Sequence, residues 1–81
     1  MNNRSVPITD LGSGAKAIVR QIQGGKNIIG RLSAMGLSVG SELEVLENRG
    51  QGPVLVRVRG TRIALGRGEA LKIIVEEIGG D

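Results

Sequence analysis

The chain lacks the residue types on which most enzymes depend: its 81 residues include no histidine and no cysteine. The commonest general base and the strongest side-chain nucleophile are therefore missing. The serines fall mostly in turns without an evident activating partner, and the carboxylates alternate with arginines along predicted strands. We therefore predict that the chain is not an enzyme and holds no cofactor. The missing cysteine also excludes a fold stabilised by disulfides and gives no sign of an oxidising compartment.

Aromatic residues are absent too, so the core must be built from Val, Ile, Leu and Ala. Small aliphatic side chains suit short elements that cross closely, as in a small β-barrel. No apolar run is long enough to span a membrane, and no signal peptide is recognisable, which predicts a cytoplasmic protein without membrane insertion. The length predicts one domain over residues 1–81, with a core at 7–78.

Glycine is abundant instead. The chain has 14 glycines, and they separate short segments, as glycines in the turns between strands do. Five segments with alternating apolar residues are predicted strands; they span residues 15–23, 41–48, 53–59, 61–66 and 71–78. The inward positions are predicted to be Leu43, Val45, Val54, Val56, Val58, Ile63, Leu65, Leu71, Ile73 and Val75. Residues 67–70 are predicted to form one helical turn, and residues 7–11 to lie across the barrel end through Ile8 and Leu11.

One segment, residues 26–36, has helical periodicity. Ile28, Leu32 and Met35 form an apolar stripe that Ile29 widens. Gly36 stands where a left-handed residue ends a helix, and Leu37 is predicted to pack back on Leu32 as in a Schellman motif. Together with the strands, this predicts a mainly β fold: a small SH3-like barrel of five to six strands with one short α-helix.

The strand register can be predicted by matching apolar and charged faces. A Gly60-Thr61 turn of type II′ places Val58 opposite Ile63 and Val56 opposite Leu65. The preceding hairpin then pairs Leu43 with Val58 and Val45 with Val56, on the inner face. On the outer face this register places the following pairs opposite each other: Glu44 and Arg57, Glu42 and Arg59, Leu46 and Leu55, and Arg59 and Arg62.

Two further site classes fit the sequence poorly. Gly24-Gly25-Lys26-Asn27 follows a strand and opens a helix, but it lacks the first glycine and the Ser or Thr of a phosphate-binding loop. A glycine-rich turn with Asn27 as helix cap explains the same residues. Arg57, Arg59 and Arg62 share one face, yet the net charge is only +3 and no aromatic stacking platform accompanies them. We therefore predict no nucleic-acid binding.

A metal site would have to be built from carboxylates alone. Glu42 and Glu44 are weak candidates, because hard-cation sites need several converging oxygens and both residues are predicted to pair with arginines. Without His or Cys, a dedicated transition-metal site would be weak.

The predicted register also leaves three apolar side chains on the outer face: Leu46, Leu55 and Ile74. Either the helix or the N-terminal segment covers them, or they form an exposed patch that marks a protein partner. The second interpretation predicts that Leu46, Leu55, Ile74, Arg31, Arg57, Arg59 and Arg62 contribute to partner binding.

A longer pattern runs through nearly the whole chain. It reads Leu11-x-x-Gly14, Ala17-x-Val19, Ile22, Gly25, Arg31-Leu32-x-x-Met35-Gly36-Leu37-x-x-Gly40, Leu43-x-Val45, Gly52-Pro53-Val54, Gly60-x-x-Ile63-Ala64-Leu65, Ala70-x-x-Ile73-x-Val75. This pattern resembles the FeoA family, ferrous iron transport protein A, over roughly residues 7–76.

The resemblance implies an SH3-like barrel in the bacterial cytosol that docks on and regulates FeoB, a membrane ferrous-iron transporter with a cytosolic GTP-binding part. Arg31 is the family-segment residue expected to make a surface contact, while Met35, Gly36 and Leu37 are expected to be structural. The resemblance also implies transition-metal binding. The alternative function is a metal-binding or metal-sensing domain related to the C-terminal domain of metal-dependent transcriptional repressors. Weak homo-oligomerisation stays open.

Overall fold

Six antiparallel strands form one sheet in the computed structural model, which describes residues 4–79. The sheet order is β1-β6-β2-β3-β4-β5. The strands are β1 (Ser5–Pro7), β2 (Lys16–Ile22), β3 (Glu42–Glu47), β4 (Val54–Val58), β5 (Thr61–Leu65) and β6 (Ile73–Ile78). The helices are α1 (Lys26–Ala34) and α2 (Arg67–Leu71), with a 3-10 turn at Ile8–Asp10. The predicted mainly β fold is therefore confirmed, and β1 adds the sixth strand.

The alternating positions of the strands fill one aliphatic core. The buried side chains are Ile8, Leu11, Ala17, Val19, Leu32, Leu37, Leu43, Val45, Val54, Val56, Val58, Ile63, Leu65, Ala70, Ile73 and Val75. No polar or charged residue of the described chain is buried. Nine of the ten predicted inward positions are confirmed. Leu71 is the exception: it ends α2 rather than starting the last strand, and its side chain is 52% exposed.

The end of α1 has the predicted geometry. The Leu37 N–H donates to the Leu32 carbonyl at 2.8 Å, and the Gly36 N–H donates to the Ser33 carbonyl at 2.9 Å. Gly36 has φ +95°, so the two bonds and the left-handed residue make a Schellman motif. Leu32 and Leu37 are both fully buried. The predicted helix stop is confirmed.

The rest of α1 differs from its prediction. Asn27 lies inside the helix, and Gly25 is the N-cap without a side-chain hydrogen bond. The predicted apolar stripe is only partly covered: Leu32 is buried, Ile28 packs against the core, and Ile29 and Met35 are exposed. A nine-residue helix lying on a small barrel turns only a narrow strip toward the core, so the outer residues of the stripe face solvent.

The predicted register of the β4–β5 hairpin is wrong by two residues. Val56 pairs with Ile63 and Val54 with Leu65, so Arg57, not Arg59, faces Arg62. The turn residues are Arg59 at φ +53° and Gly60 at φ +78°, which is the type I′ pattern rather than type II′. Because side chains alternate with a period of two, a shift of two residues keeps the same inner face. The alternation of inward and outward residues therefore cannot distinguish the predicted β4–β5 register from the observed one.

The register of the β3–β4 hairpin is correct at its centre and wrong at the end next to the turn. Val45 pairs with Val56, and Glu44 pairs with Arg57. The Arg57 Nη1 donates to the Glu44 Oε1 at 3.1 Å. A β-bulge after Val45 then places Glu47, not Leu46, opposite Leu55.

The predicted Glu42–Arg59 pair is also not formed. Glu42 lies opposite Ile18 of β2, and Arg59 has left the strand for the turn. The ion pairs among residues 4–79 do not include one between these two side chains.

Asn48, directly after β3, ties the N-terminal segment to the barrel. Its Nδ2 donates to the carbonyls of Thr9 at 3.0 Å and Leu11 at 2.8 Å. Its Oδ1 accepts from the Gly50 N–H and from the Arg67 guanidinium at the start of α2. Residues 8–11 therefore lie across the barrel end as predicted, with Ile8 and Leu11 buried.

Replacing two glycines of the α1 region by alanine should have opposite effects on the free energy of unfolding. Gly30→Ala should stabilise by about 1 kcal/mol, because Gly30 is in the helix interior and an added Cβ meets no atom within 4 Å. Gly36→Ala should destabilise by roughly 1–2 kcal/mol, because alanine is strained in the left-handed region. Urea denaturation measures both, and equal stability of the two variants would contradict the assigned helix end.

Removing the Asn48 side chain should destabilise the domain. Asn48→Ala leaves the Thr9 and Leu11 carbonyls without this donor, which should cost about 1–3 kcal/mol. Asn27→Ala is the matched control and should not destabilise, because Asn27 is exposed in α1 and alanine is the better helix former. Urea denaturation of both variants tests this, and an Asn48→Ala variant as stable as the native chain would refute the tethering role.

Candidate docking surfaces

The outer face of the sheet carries one row of charged residues. Lys16 pairs with Glu44, Glu44 with Arg57, and Arg57 with Arg62, across four neighbouring strands. The row therefore has three cations and one carboxylate. A shallow depression of about 240 Å³ lies beside it, lined in part by Glu42 and by Arg59 of the turn. The structure thus brings the three predicted arginines to the same end of the sheet, where positive charge is in excess.

The two weak metal candidates are both in this region. Glu44 accepts the hydrogen bond from Arg57, and Glu42 is exposed opposite Ile18. Within the part of the chain that the structure describes, no three side chains of the types His, Cys, Asp or Glu converge as a metal site would require. A metal site in this region would therefore have at most two carboxylate ligands, those of Glu42 and Glu44.

The predicted apolar contact residues do not form one cluster. Leu46, Leu55 and Ile74 are each half-buried. Leu46 and Leu55 lie on the neighbouring strands β3 and β4, whereas Ile74 is on β6, three strands away from β4. Neighbouring strands are about 4.8 Å apart, so Ile74 is at least about 14 Å from Leu55 along the sheet. Ile74 therefore lies on a different part of the sheet from Leu46 and Leu55.

The largest exposed apolar side chains lie elsewhere, on the helices and the turn after α1. They are Ile29 at 41%, Met35 at 38%, Val39 at 65% and Leu71 at 52% exposure. We call these four residues the helical surface. Every large apolar side chain that is exposed in the described chain belongs to it. These residues lie on α1, at its end, in the following turn and on α2, and exposed apolar residues mark a partner site where they are contiguous.

Arg31 connects α1 to α2, two of the elements that carry the helical surface. Its guanidinium forms an ion pair with Glu69 of α2 while remaining 60% exposed. The Glu69 Oε1 also accepts from the Gly66 N–H at 3.3 Å, at the start of α2. The predicted surface position of Arg31 therefore agrees with the structure, and the residue lies between the two helices rather than near the other predicted arginines.

Sequence reasoning missed most of the helical surface. Val39 is in a turn, where no periodic pattern marks exposure. The alternation of Ile73 and Val75 extends to Leu71 and predicts a strand position there. The helical periodicity places Met35 and Ile29 in the packed stripe of α1. The signal that was available is the shortness of α1, which cannot bury a wide apolar face on a barrel of this size.

The structure contains no helix, within residues 4–79, that has the length and apolar character of a membrane span. Both helices are short, with nine residues in α1 and five in α2.

Comparison with known proteins identifies relatives over nearly the whole chain. The family model described as "FeoA domain" matches residues 6–77. A protein of Methanocaldococcus jannaschii named "Putative Fe(2+) transport protein A" is 42% identical over 77 residues, which cover 93% of each chain.

Solved structures agree with this fold. A crystal structure of an iron uptake regulatory protein (FeoA) superposes with a TM-score of 0.88 at 39% identity, covering 93% of this chain and all of the other. A manganese-dependent transcriptional repressor gives a TM-score of 0.85 at 21% identity; the match covers 96% of this chain and 44% of the repressor. These neighbours confirm the predicted small SH3-like fold, and the likeness to the repressor shows the fold alone.

Proposed function

Because this chain belongs to the FeoA domain family, we propose that it is a non-catalytic, cytoplasmic accessory protein of ferrous iron uptake. In this proposal it docks on the cytosolic part of a FeoB-type membrane transporter and regulates it. The family supports the link to iron transport. The docking role is our inference, and it is carried by the helical surface.

The helical surface combines apolar side chains with a charged neighbour. Ile29, Met35, Val39 and Leu71 are apolar, and the partly exposed Arg31 forms an ion pair from α1 to α2. Methionine and arginine are enriched at protein interfaces, so Met35 and Arg31 are the members of this group most typical of a contact. Burying an exposed aliphatic side chain of this size contributes about 1.5 kcal/mol or more when the burial is complete.

The same surface is held rigidly, which lowers the entropic cost of binding. The Schellman motif and the buried pair Leu32 and Leu37 fix the end of α1. The turn after it is fixed because the Gly40 N–H donates to the Val19 carbonyl at 2.8 Å and the Ser41 hydroxyl donates to the Gly36 carbonyl at 3.0 Å. A preorganised surface retains more of its contact energy on binding.

The sheet offers the competing location for docking. Leu46, Leu55 and Ile74, with Arg57, Arg59 and Arg62, remain the set proposed from sequence. Their apolar members are half-buried, so they offer less area to a partner than Val39 and Leu71 do. The two locations lead to different outcomes when they are mutated separately.

Introducing a charge on the helical surface should weaken docking without unfolding the domain. Leu71→Glu and Val39→Glu should each reduce affinity for the transporter's cytosolic part at least about tenfold, since buried anchors contribute 1.4 kcal/mol or more. Gln51→Glu adds the same charge in the turn between β3 and β4 and should leave binding unchanged. Calorimetric titration measures the affinities, and circular dichroism checks the fold.

Leu55→Glu separates the two docking locations. Unchanged binding of this variant, together with loss in Leu71→Glu, supports the helical surface. Lost binding in a folded Leu55→Glu variant, with Leu71→Glu unaffected, would place docking on the sheet instead.

The alternative function is direct metal sensing, because repressors that share this fold are named for a metal, although that likeness shows the fold alone. The metal in the name of the manganese-dependent repressor refers to the whole protein, and this chain matches only 44% of the repressor's length. The oxygen ligands at Glu42 and Glu44 are too few for a tight site, and Arg57 already uses Glu44.

Ferrous iron should therefore bind weakly to the isolated chain. We expect anaerobic titration with ferrous iron to show no saturation at micromolar concentration, because tight transition-metal sites need softer or more numerous ligands. Glu42→Gln serves as the control for any residual signal. Micromolar saturable binding that Glu42→Gln removes would support metal sensing over docking alone.

A further inference from the structure

The two edges of the sheet differ in how well they are protected from pairing with another chain. Strand β1 forms one edge; it has only three residues, and Pro7 lacks an N–H. Strand β5 forms the other edge, with five residues, no proline and one charged residue, Arg62. Natural proteins protect edges with short strands, prolines or charges. By these criteria β1 is the better protected edge, and Arg62 is the one protecting residue of β5.

The hairpin turn determines which backbone groups of β5 point away from the sheet. A two-residue turn at Arg59 and Gly60 makes Val58 and Thr61 a hydrogen-bonded pair, since this pair closes the hairpin. Hydrogen-bonded and non-hydrogen-bonded pairs alternate along an antiparallel ladder. Arg62 and Ala64 therefore direct their N–H and C=O groups outward. No backbone hydrogen bond from elsewhere in residues 4–79 reaches these groups.

The charges next to this edge are unbalanced. Arg62 lies directly opposite Arg57 in a non-hydrogen-bonded pair, where side chains approach closely. Like charges placed directly opposite each other are destabilising. Arg57 has Glu44 on its other side, whereas Arg62 is the last member of the row and forms no ion pair with any described residue. The position beyond Arg62, where a further strand would lie, favours a carboxylate.

We propose that β5 accepts an extended acidic segment of another protein as an added strand, with an Asp or Glu of that segment opposite Arg62. The outward N–H and C=O groups of Arg62 and Ala64 would supply the main-chain hydrogen bonds. The carboxylate would pair with Arg62, at which the alternation of charges from Lys16 to Glu44 to Arg57 is broken. Strand addition gains affinity from the backbone and specificity from alternate side chains.

A second copy of the chain fits this edge less well. If two β5 strands paired antiparallel with their inner faces matched, Arg62 would lie opposite Arg62 or Ala64 of the partner, because β5 contains no acidic residue. Strand β1 offers Ser5, Val6 and Pro7, which also include no carboxylate. Charge complementarity therefore favours a different polypeptide. This edge is separate from the helical surface, so the proposal does not depend on transporter docking there.

Titration with two model peptides tests the proposal. One is an eight-residue peptide of alternating valine and aspartate, and the matched control has lysine in place of aspartate. NMR spectra of the isotope-labelled full chain should show saturable shifts and slowed hydrogen exchange at the Arg62 and Ala64 amides with the acidic peptide only. The lysine peptide should produce neither effect.

Three variants make the result specific to the edge. Arg62→Glu should weaken binding of the acidic peptide by about fivefold or more, since a cross-strand charge pair is replaced by a repulsion. It should also raise the melting temperature, because it removes the repulsion with Arg57. Lys26→Glu changes the net charge equally at the start of α1 and should leave binding unchanged. Ala64→Pro removes one outward N–H and should also weaken binding.

Several outcomes would overturn the proposal. These are no saturable binding, equal weakening by Lys26→Glu, shifts outside β5, or dimerisation through β5 in analytical ultracentrifugation. If Ala64→Pro does not fold, the comparison of Arg62→Glu with Lys26→Glu still tests the proposal.

Discussion

The structure depends on filling a small core with aliphatic side chains alone. Without aromatic residues, the chain must bring inward positions from every part of the sheet, from α1, from α2 and from the 3-10 turn into one cluster. No polar residue is buried in the described chain. Asn48, which is half-buried, provides the hydrogen bonds that close the barrel end. Because the barrel is small and the helices are short, each helix packs only a narrow strip of its surface against the core. Their remaining apolar residues, Ile29, Met35 and Leu71, face outward.

The features that the sequence predicts correctly are those controlled by local chemistry or by the alternation of side chains. The inner faces of β3, β4 and β5 follow from a period of two, and the end of α1 follows from Gly36 and Leu37. The features it misses are those that alternation cannot distinguish. The β4–β5 register differs by two residues from the predicted one, and the bulge after Val45 moves Glu47 opposite Leu55. Both depend on turn and bulge geometry that no apolar pattern encodes.

The candidate sites were predictable to different degrees. The Glu44–Arg57 pair was predicted because charge and apolar faces agreed in one register. The open edge at β5 depends on the strand order of the sheet, which the sequence does not give. An opposed arginine pair is predicted at Arg59 and Arg62, but the observed pair of Arg57 and Arg62 requires the correct hairpin register. Exposure of Val39 depends on the path of the turn after α1. One end of the sheet therefore carries a polar surface with an excess of positive charge, while the helices carry the exposed apolar residues.

The central claim is that the helical surface is the contact site for the partner. The most direct measurement is NMR mapping of the isotope-labelled chain on addition of the cytosolic part of a FeoB-type transporter. The account predicts that amide shifts and line broadening centre on α1, on residues 35–41 and on α2. Shifts confined to the outer face of β3 and β4, or no change at partner concentrations in excess of the chain, would contradict it.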